Sequence, residues 1–248
     1  MKNLVVDIGN TRTKVAVFEQ EKLLINLHAD TFTSDDLDRL LAEQPGIDNA
    51  IVSTVKERPD SLSDRLEKCM SFFIELTHQT RLPIKNGYHT PETLGKDRIA
   101  AAVGANRLYP DRNILLIDAG TAITYDFITS GNEYTGGFIT PGLTMRFNAL
   151  HHFTNKLPLL APDMPKFYEG NHTENSIRGG VQYGLKGEVE QMISYYHNRY
   201  GNSLILLTGG DAPYFEKLIE KDNFVVPEIT LIGLNTILAF NNSLNCIV

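Results

Sequence analysis

Leu4-Val5-Val6-Asp7-Ile8-Gly9-Asn10-Thr11-Arg12-Thr13-Lys14 opens the chain with an apolar run that ends in a carboxylate and passes at once into small and hydroxyl-bearing residues. Alternation resumes in Val15-Ala16-Val17-Phe18, so the spacing predicts strand, tight turn, strand, with Asp7 at the end of the first strand. The turn holds what a phosphate and its metal need. Gly9 lets the backbone come close, Asn10, Thr11 and Thr13 supply donors, and Lys14 supplies positive charge. An ordinary hairpin with a polar turn has the same composition, and this stretch alone does not separate the two.

The pattern recurs in Leu115-Leu116-Ile117-Asp118-Ala119-Gly120-Thr121-Ala122-Ile123-Thr124. Asp7 and Asp118, Gly9 and Gly120, and Thr13 and Thr124 are each 111 residues apart, and Asn10 aligns with Thr121. Similar strand–turn–strand units at the start of each half imply duplicated domains, 1–111 and 112–248, facing each other across a cleft. The last helix is free to pack back on the first domain.

Between these anchors, strands alternate with helices. Residues 2–6, 14–18 and 23–27 read as an antiparallel meander. Thr33-Ser34-Asp35-Asp36 offers N-caps for a helix that Pro45-Gly46 stops, and strand 50–55, helix 61–69 and strand 72–76 follow. Residues 80–93 form a loop long enough to be functional. It ends in Gly95-Lys96-Asp97-Arg98, before a helix running from Ile99 to Pro110-Asp111. The second half carries Gly136-Gly137-Phe138-Ile139-Thr140-Pro141-Gly142, a helix over 143–153, and a loop with Pro158, Pro162 and Pro165. Thr173 caps a long helix to about residue 200, whose Gly179, Gly180, Gly184 and Gly187 mark close packing of a backbone or ligand. Strand 204–207 ends in Thr208-Gly209-Gly210-Asp211-Ala212, and the last helix covers 231–240. The fold class is α/β, with mixed sheets flanked by helices.

A net charge of −7 over 248 residues recommends neither nucleic acid nor an anionic membrane as partner. No apolar run is long enough for a bilayer, and Asp7 and Asn10 interrupt any signal-peptide layout. Cys69 and Cys246 have no metal-ligand spacing, so the chain reads as a cytosolic protein with two thiols. Neither G-x-x-x-x-G-K-[ST] nor G-x-G-x-x-G occurs, which removes the two commoner nucleotide routes. His151 and His152, adjacent on a helix, point apart and do not chelate one ion. Lys186, Glu188 and Glu190 read as a solvated helix face.

Two D-x-G hairpins followed by a strand–Gly-Gly–helix resemble the actin, sugar-kinase and heat-shock-chaperone superfamily of ribonuclease-H-like ATPase domains. The chain resembles more narrowly the type III pantothenate kinases. Asp7-Ile8-Gly9-Asn10-Thr11-Arg12-Thr13-Lys14 is similar to their first phosphate motif, Gly95-Lys96-Asp97-Arg98 to the pantothenate motif and Asp118-Ala119-Gly120-Thr121-Ala122 to the second phosphate motif. Gly136–Gly142 is similar to the dimer-interface segment and Thr208-Gly209-Gly210-Asp211 to the adenosine motif. All five stand in family order.

The resemblance implies ATP-dependent phosphorylation of pantothenate to 4'-phosphopantothenate, the first step of coenzyme A synthesis, by a homodimer. It assigns ATP to Asp7, Ile8, Gly9, Asn10, Thr11, Arg12, Thr13, Lys14, Thr121, Gly209 and Gly210, and the substrate to Tyr88, Gly95, Lys96, Asp97, Arg98 and Thr173. It gives Mg²⁺, or another divalent cation, to Asp7 through water, since that ion keeps much of its hydration shell. It gives K⁺ or NH₄⁺ to Asp118. Asp97 becomes the proton acceptor. A carboxylate of pKa about 3.9 cannot strip an alcohol in the ground state. In a loose phosphoryl-transfer transition state it first orients the hydroxyl and accepts the proton late. The fork of Arg98 suits pantothenate's carboxylate. The plainer alternatives are a helix cap for Asp97 and for Thr173, and an apolar cover for Tyr88. Two rival functions are an ATP-binding accessory transcription regulator and a polyphosphate phosphatase, the second of which wants a basic channel.

Overall fold

The computed structural model describes residues 2–9, 12–54, 60–164, 166 and 168–245, so Asn10, Thr11, Pro165 and Cys246 lie outside the described residues. The chain forms two compact units, Met1–Leu108 with Ile229–Val248, and Tyr109–Glu228.

The first unit begins with the meander β1 (Lys2–Ile8), β2 (Thr13–Glu19) and β3 (Lys22–Ala29). It continues through α1 (Ser34–Glu43), β4 (Ile47–Thr54), α2 (Asp60–Cys69), β5 (Phe72–Glu75), the two-residue β6 (Lys85–Asn86), a 3-10 turn at Pro91–Thr93 and α3 (Lys96–Leu108). The sheet order is β3-β2-β1-β4-β5, with β4 parallel to both β1 and β5. Alternation along the strands splits the sheet into two faces. Leu4, Val6, Val15, Val17, Ala50 and Val52 pack against Leu37, Leu40, Leu62 and Leu66 of α1 and α2. At the start of α1 the predicted cap is a full capping box, in which Asp36 N donates to Thr33 Oγ1 (3.3 Å) and Thr33 N to Asp36 Oδ2 (2.9 Å).

The second unit contains β7 (Ile114–Ala119), β8 (Ala122–Ile128), β9 (Glu133–Pro141), α4 (Leu143–His152), α5 (Thr173–Tyr200), β10 (Leu204–Thr208), α6 (Ala212–Leu218) and β11 (Asn223–Val225). Its strands run in the order β11-β10-β7-β8-β9. β7, β10 and β11 are parallel, while β7, β8 and β9 form an antiparallel meander. Ile123, Tyr125 and Phe127 face the apolar side of α5, and Phe127 stacks on Tyr196 with ring centroids 4.7 Å apart. The spacing missed β11, whose three residues are too short to show a period.

Two expectations for α5 change. Its N-cap is His172, without a side-chain cap bond, and Thr173 is the first helical residue. Of its four glycines only Gly179 is closely packed, 3.1 Å from the Tyr168 oxygen at its missing Cβ, whereas Gly180, Gly184 and Gly187 face open space.

The chain then returns to the first unit as α7 (Ile229–Asn245), longer at both ends than the apolar spacing predicts. It packs along α3 at a distance that only glycine allows. A Cβ on Gly233 would stand 1.7 Å from the Ala100 oxygen, and one on Gly104 would stand 2.1 Å from the Ile229 oxygen. Against the sheet, α7 is keyed by buried amides. Asn49 Nδ2 donates to Asn3 Oδ1 (2.9 Å), Asn3 Nδ2 to Asn235 Oδ1 (2.8 Å), and Asn235 Nδ2 to the Gln20 oxygen (2.8 Å). Among the described residues no helix is long and apolar enough to cross a membrane.

Candidate active site

Both D-x-G stretches are strand–turn–strand hairpins, but they differ in length. Asp7 pairs with Lys14 across β1 and β2, whereas Asp118 pairs with Thr124 across β7 and β8. The second turn is therefore one residue shorter, and Lys14, not Thr13, is the structural counterpart of Thr124. The Thr13/Thr124 equivalence expected from equal spacing is corrected by this register. The consequence is electrostatic. Asp7 stands opposite an ammonium group, and Asp118 stands opposite a hydroxyl that is itself donated to Asp126 Oδ2 at 2.8 Å.

In the first unit, Lys14, Asp7 and Ser53 are in register on three neighbouring strands, β2, β1 and β4. In-register neighbours point to the same face. Gly9 N donates to the Arg12 oxygen (3.1 Å) to close the turn beyond Asp7, Thr13 is buried, and Arg12 is exposed. Burial pushes the Asp7 pKa above its ordinary value. Lys14 and Ser53 oppose the rise, and the nearby Asp97 carboxylate adds to it. Asp97 is thus close enough to Asp7 for its charge to be felt there.

α3 brings Asp97 there. The helix starts at Lys96, three residues earlier than the apolar run suggests, so Lys96, Asp97 and Arg98 form its first turn. A carboxylate in a first turn is favoured by the helix dipole. Asp97 Oδ1 accepts a bond from Arg98 N at 2.8 Å. Arg98 is buried, with its guanidinium carbon 5.8 Å from the centre of the Tyr88 ring. Lys96 Nζ lies 3.6 Å from Glu75 Oε1, and Tyr88 N donates to Asn86 Oδ1 (3.0 Å). The structure therefore joins Tyr88, Arg98, Asp97, Asp7 and Lys14 within one unit.

In the second unit the Gly-Gly turn closes on Asp118. Gly209 has φ +90°, and a Cβ there would stand 2.5 Å from Asp118 Oδ1. Only glycine combines that backbone conformation with that approach. Asp211 N donates to the Ala119 oxygen (2.9 Å), which ties the turn to the end of β7. Thr173 lies elsewhere in this unit, on a groove of about 1020 Å³ lined also by Arg146, Phe153, Ser176, Gly180 and Gly184.

One lining residue of that groove, Arg146, is held by a carboxylate whose role the spacing does not reveal. Glu188, expected on a solvated face, is about four-fifths shielded. It accepts from Arg146 Nη2 (2.6 Å), Thr140 Oγ1 (2.8 Å) and Tyr125 Oη (3.0 Å). Burial and then the Glu188 charge raise the Tyr125 pKa, so the phenol stays protonated and donates. Periodicity could not find Glu188, because its partners come from three other elements. His151 is exposed and lies 2.8 Å from the Leu157 oxygen, consistent with a surface role.

Among the described residues no group of three or more His, Cys, Asp or Glu side chains could cage a metal. One strand-end carboxylate beside a lysine fits a magnesium ion that keeps most of its water and shares nucleotide phosphates.

A family model described as type III pantothenate kinase matches residues 3–195. A type III pantothenate kinase of Phocaeicola vulgatus is 39% identical over 244 residues, covering 98% of this chain and 100% of that protein. The chain belongs to the type III pantothenate kinase family. A Campylobacter jejuni protein described as a Baf family transcriptional activator superposes on it with a TM-score of 0.61, at 22% identity, over 97% of this chain and 99% of its own. A ROK hexokinase of Thermus thermophilus does so with a TM-score of 0.52, at 13% identity, over 98% and 100%. At such identities the likeness is one of fold, and the type III pantothenate kinase fold here is that of the actin-like sugar kinases.

Proposed function

We propose that this protein transfers the γ-phosphoryl group of ATP to the hydroxyl of pantothenate, giving 4'-phosphopantothenate in the cytoplasm as the first step of coenzyme A synthesis. The observation that carries the reading is the placement of Asp97 in the first turn of α3, next to buried Arg98 and within electrostatic reach of Asp7. A phosphoryl acceptor and a phosphate-facing carboxylate have to meet in this way.

The roles divide by environment. Asp97 orients the acceptor hydroxyl and takes its proton on Oδ2, because Oδ1 is engaged by Arg98 N. Arg98 holds the pantothenate carboxylate, with Tyr88 against the guanidinium face. Gly95 and Lys96 complete the substrate side, and Thr173 supplies a further hydroxyl. The stretch from Asp7 to Lys14, with Thr121, Gly209 and Gly210, contacts ATP. Asp7 faces the hydrated magnesium ion, which neutralises phosphate charge when bound. Asp118 holds K⁺ or NH₄⁺, a role that the hydroxyl of Thr124 opposite it supports. The active species is a homodimer built on Gly136–Gly142.

The test is an ATP-coupled assay with pantothenate, with and without K⁺ or NH₄⁺. Turnover that requires pantothenate and rises with the monovalent cation is expected. Absence of turnover under every cation by a folded protein rejects the reading. A rate indifferent to K⁺ and NH₄⁺ rejects the role of Asp118 alone.

A further inference from the structure

The row that crosses the first sheet, Lys14–Asp7–Ser53, has a member with no role so far. Ser53 is 1% exposed, and its hydroxyl completes no hydrogen bond of ordinary geometry among the described residues. Enclosed polar atoms are nearly always paired, so such a hydroxyl calls for an explanation. Other enclosed hydroxyls of this kind, on Ser63 and Tyr214, belong to helices α2 and α6 and not to a strand in register with Asp7. Ser53 does. It lies one strand from Asp7, on the side opposite Lys14, and it is near enough to favour the ionised form of that carboxylate.

We propose that Ser53 is a positioning residue of the phosphate–metal site, whose hydroxyl donates to one oxygen of Asp7 and fixes the other toward the hydrated cation. This rests on the reading of Asp7 as the magnesium-facing carboxylate. An aspartate at the end of a strand can turn about two side-chain bonds. Lys14 on one flank and Ser53 on the other restrict that turning. The ammonium neutralises charge, and the neutral hydroxyl sets direction without competing with the cation for charge. Serine suits the place because its donor is short enough for a fully enclosed position.

Two variants test this, Ser53→Ala, which removes the donor, and Ser53→Cys, which keeps the bulk but replaces the hydroxyl by a weak donor. Mn²⁺ binding in the presence of ADP, followed by loss of the free-ion electron paramagnetic resonance signal, reads the site without turnover. Both variants are expected to bind Mn²⁺ about 12- to 150-fold more weakly, the range for a hydrogen bond to a charged group. KM for ATP should rise in parallel, while KM for pantothenate stays unchanged. Mn²⁺ affinity within about twofold of wild type in either folded variant overturns the proposal, with or without a lower midpoint. Wild-type protein that fails to bind Mn²⁺ with ADP overturns it together with the kinase reading. Wild-type protein that binds Mn²⁺ and ADP but does not phosphorylate pantothenate removes the acceptor alone, and the Ser53 comparison still decides this point.

Discussion

Burial raises the Asp7 pKa, and the Asp97 carboxylate adds to the rise, while Lys14 and Ser53 hold it back. Between the ordinary value of 3.8 and the raised folded value, the native state binds more protons than the unfolded one. Stability therefore falls as pH rises through that window, and at neutral pH the protein bears the full cost of a buried charge. Asp7→Asn removes the charge. We expect a thermal midpoint higher by about 2–4 °C at pH 7, with loss of Mn²⁺ binding in the presence of ADP. An unchanged midpoint and intact binding would show that Asp7 is neither strained nor at the metal. Asp97→Asn is expected to lower kcat by about 10²–10⁴-fold with little change in KM for ATP, measured in the same coupled assay. Turnover close to wild type would remove Asp97 as the proton acceptor.

At the scale of elements, α3 is held by its neighbour α7 through backbone contact at Gly104 and Gly233. Gly233→Ala must force the helices apart, at an expected cost of about 2–4 kcal/mol, or roughly 5–15 °C in a thermal melt. Because Asp97 is in the first turn of α3, kcat should fall as well. A midpoint within about 1 °C of wild type would contradict the close packing. In the second unit, Glu188→Ala leaves Arg146, Tyr125 and Thr140 without their shared acceptor. The site is partly exposed, so about 1–3 kcal/mol in urea unfolding is expected. A double-mutant cycle with Arg146→Ala should show coupling above about 0.5 kcal/mol. These two features mark where the sequence stops being legible. Strand and helix placement followed from short-range alternation and caps, as at Thr33 and Asp36. The start of α3 was misplaced because Lys96, Asp97 and Arg98 are polar residues inside a helix whose apolar face begins only at Ile99. The equal spacing of Thr13 and Thr124 misled for a related reason. A chain offset counts residues, whereas a turn one residue shorter shifts the register. Glu188 and Ser53 were missed because their meaning comes from partners on other elements.

At the scale of the whole molecule, the family is legible from five short motifs in order, because each is a local stretch with its own chemistry. Phe138 and Ile139 of β9 are 39% and 62% exposed, and Tyr195 of α5 meets the edge of Phe138 with ring centroids 5.6 Å apart. Exposed apolar residues gathered on one face suit a symmetric contact between copies. The homodimer we propose should sediment as a dimer at micromolar concentration, and Ile139→Asp should shift it to monomer. A wild-type monomer at that concentration contradicts the proposal. The return of α7 has a bearing on synthesis. Every residue of the second unit is translated before Ile229, so the first unit waits for a segment made after the whole of the second. Until then α3 and the Asn3–Asn49 amides lack their cover, whereas the second unit already has its whole sequence. A released chain truncated after Glu228 should therefore protect the later unit from protease better than the earlier one.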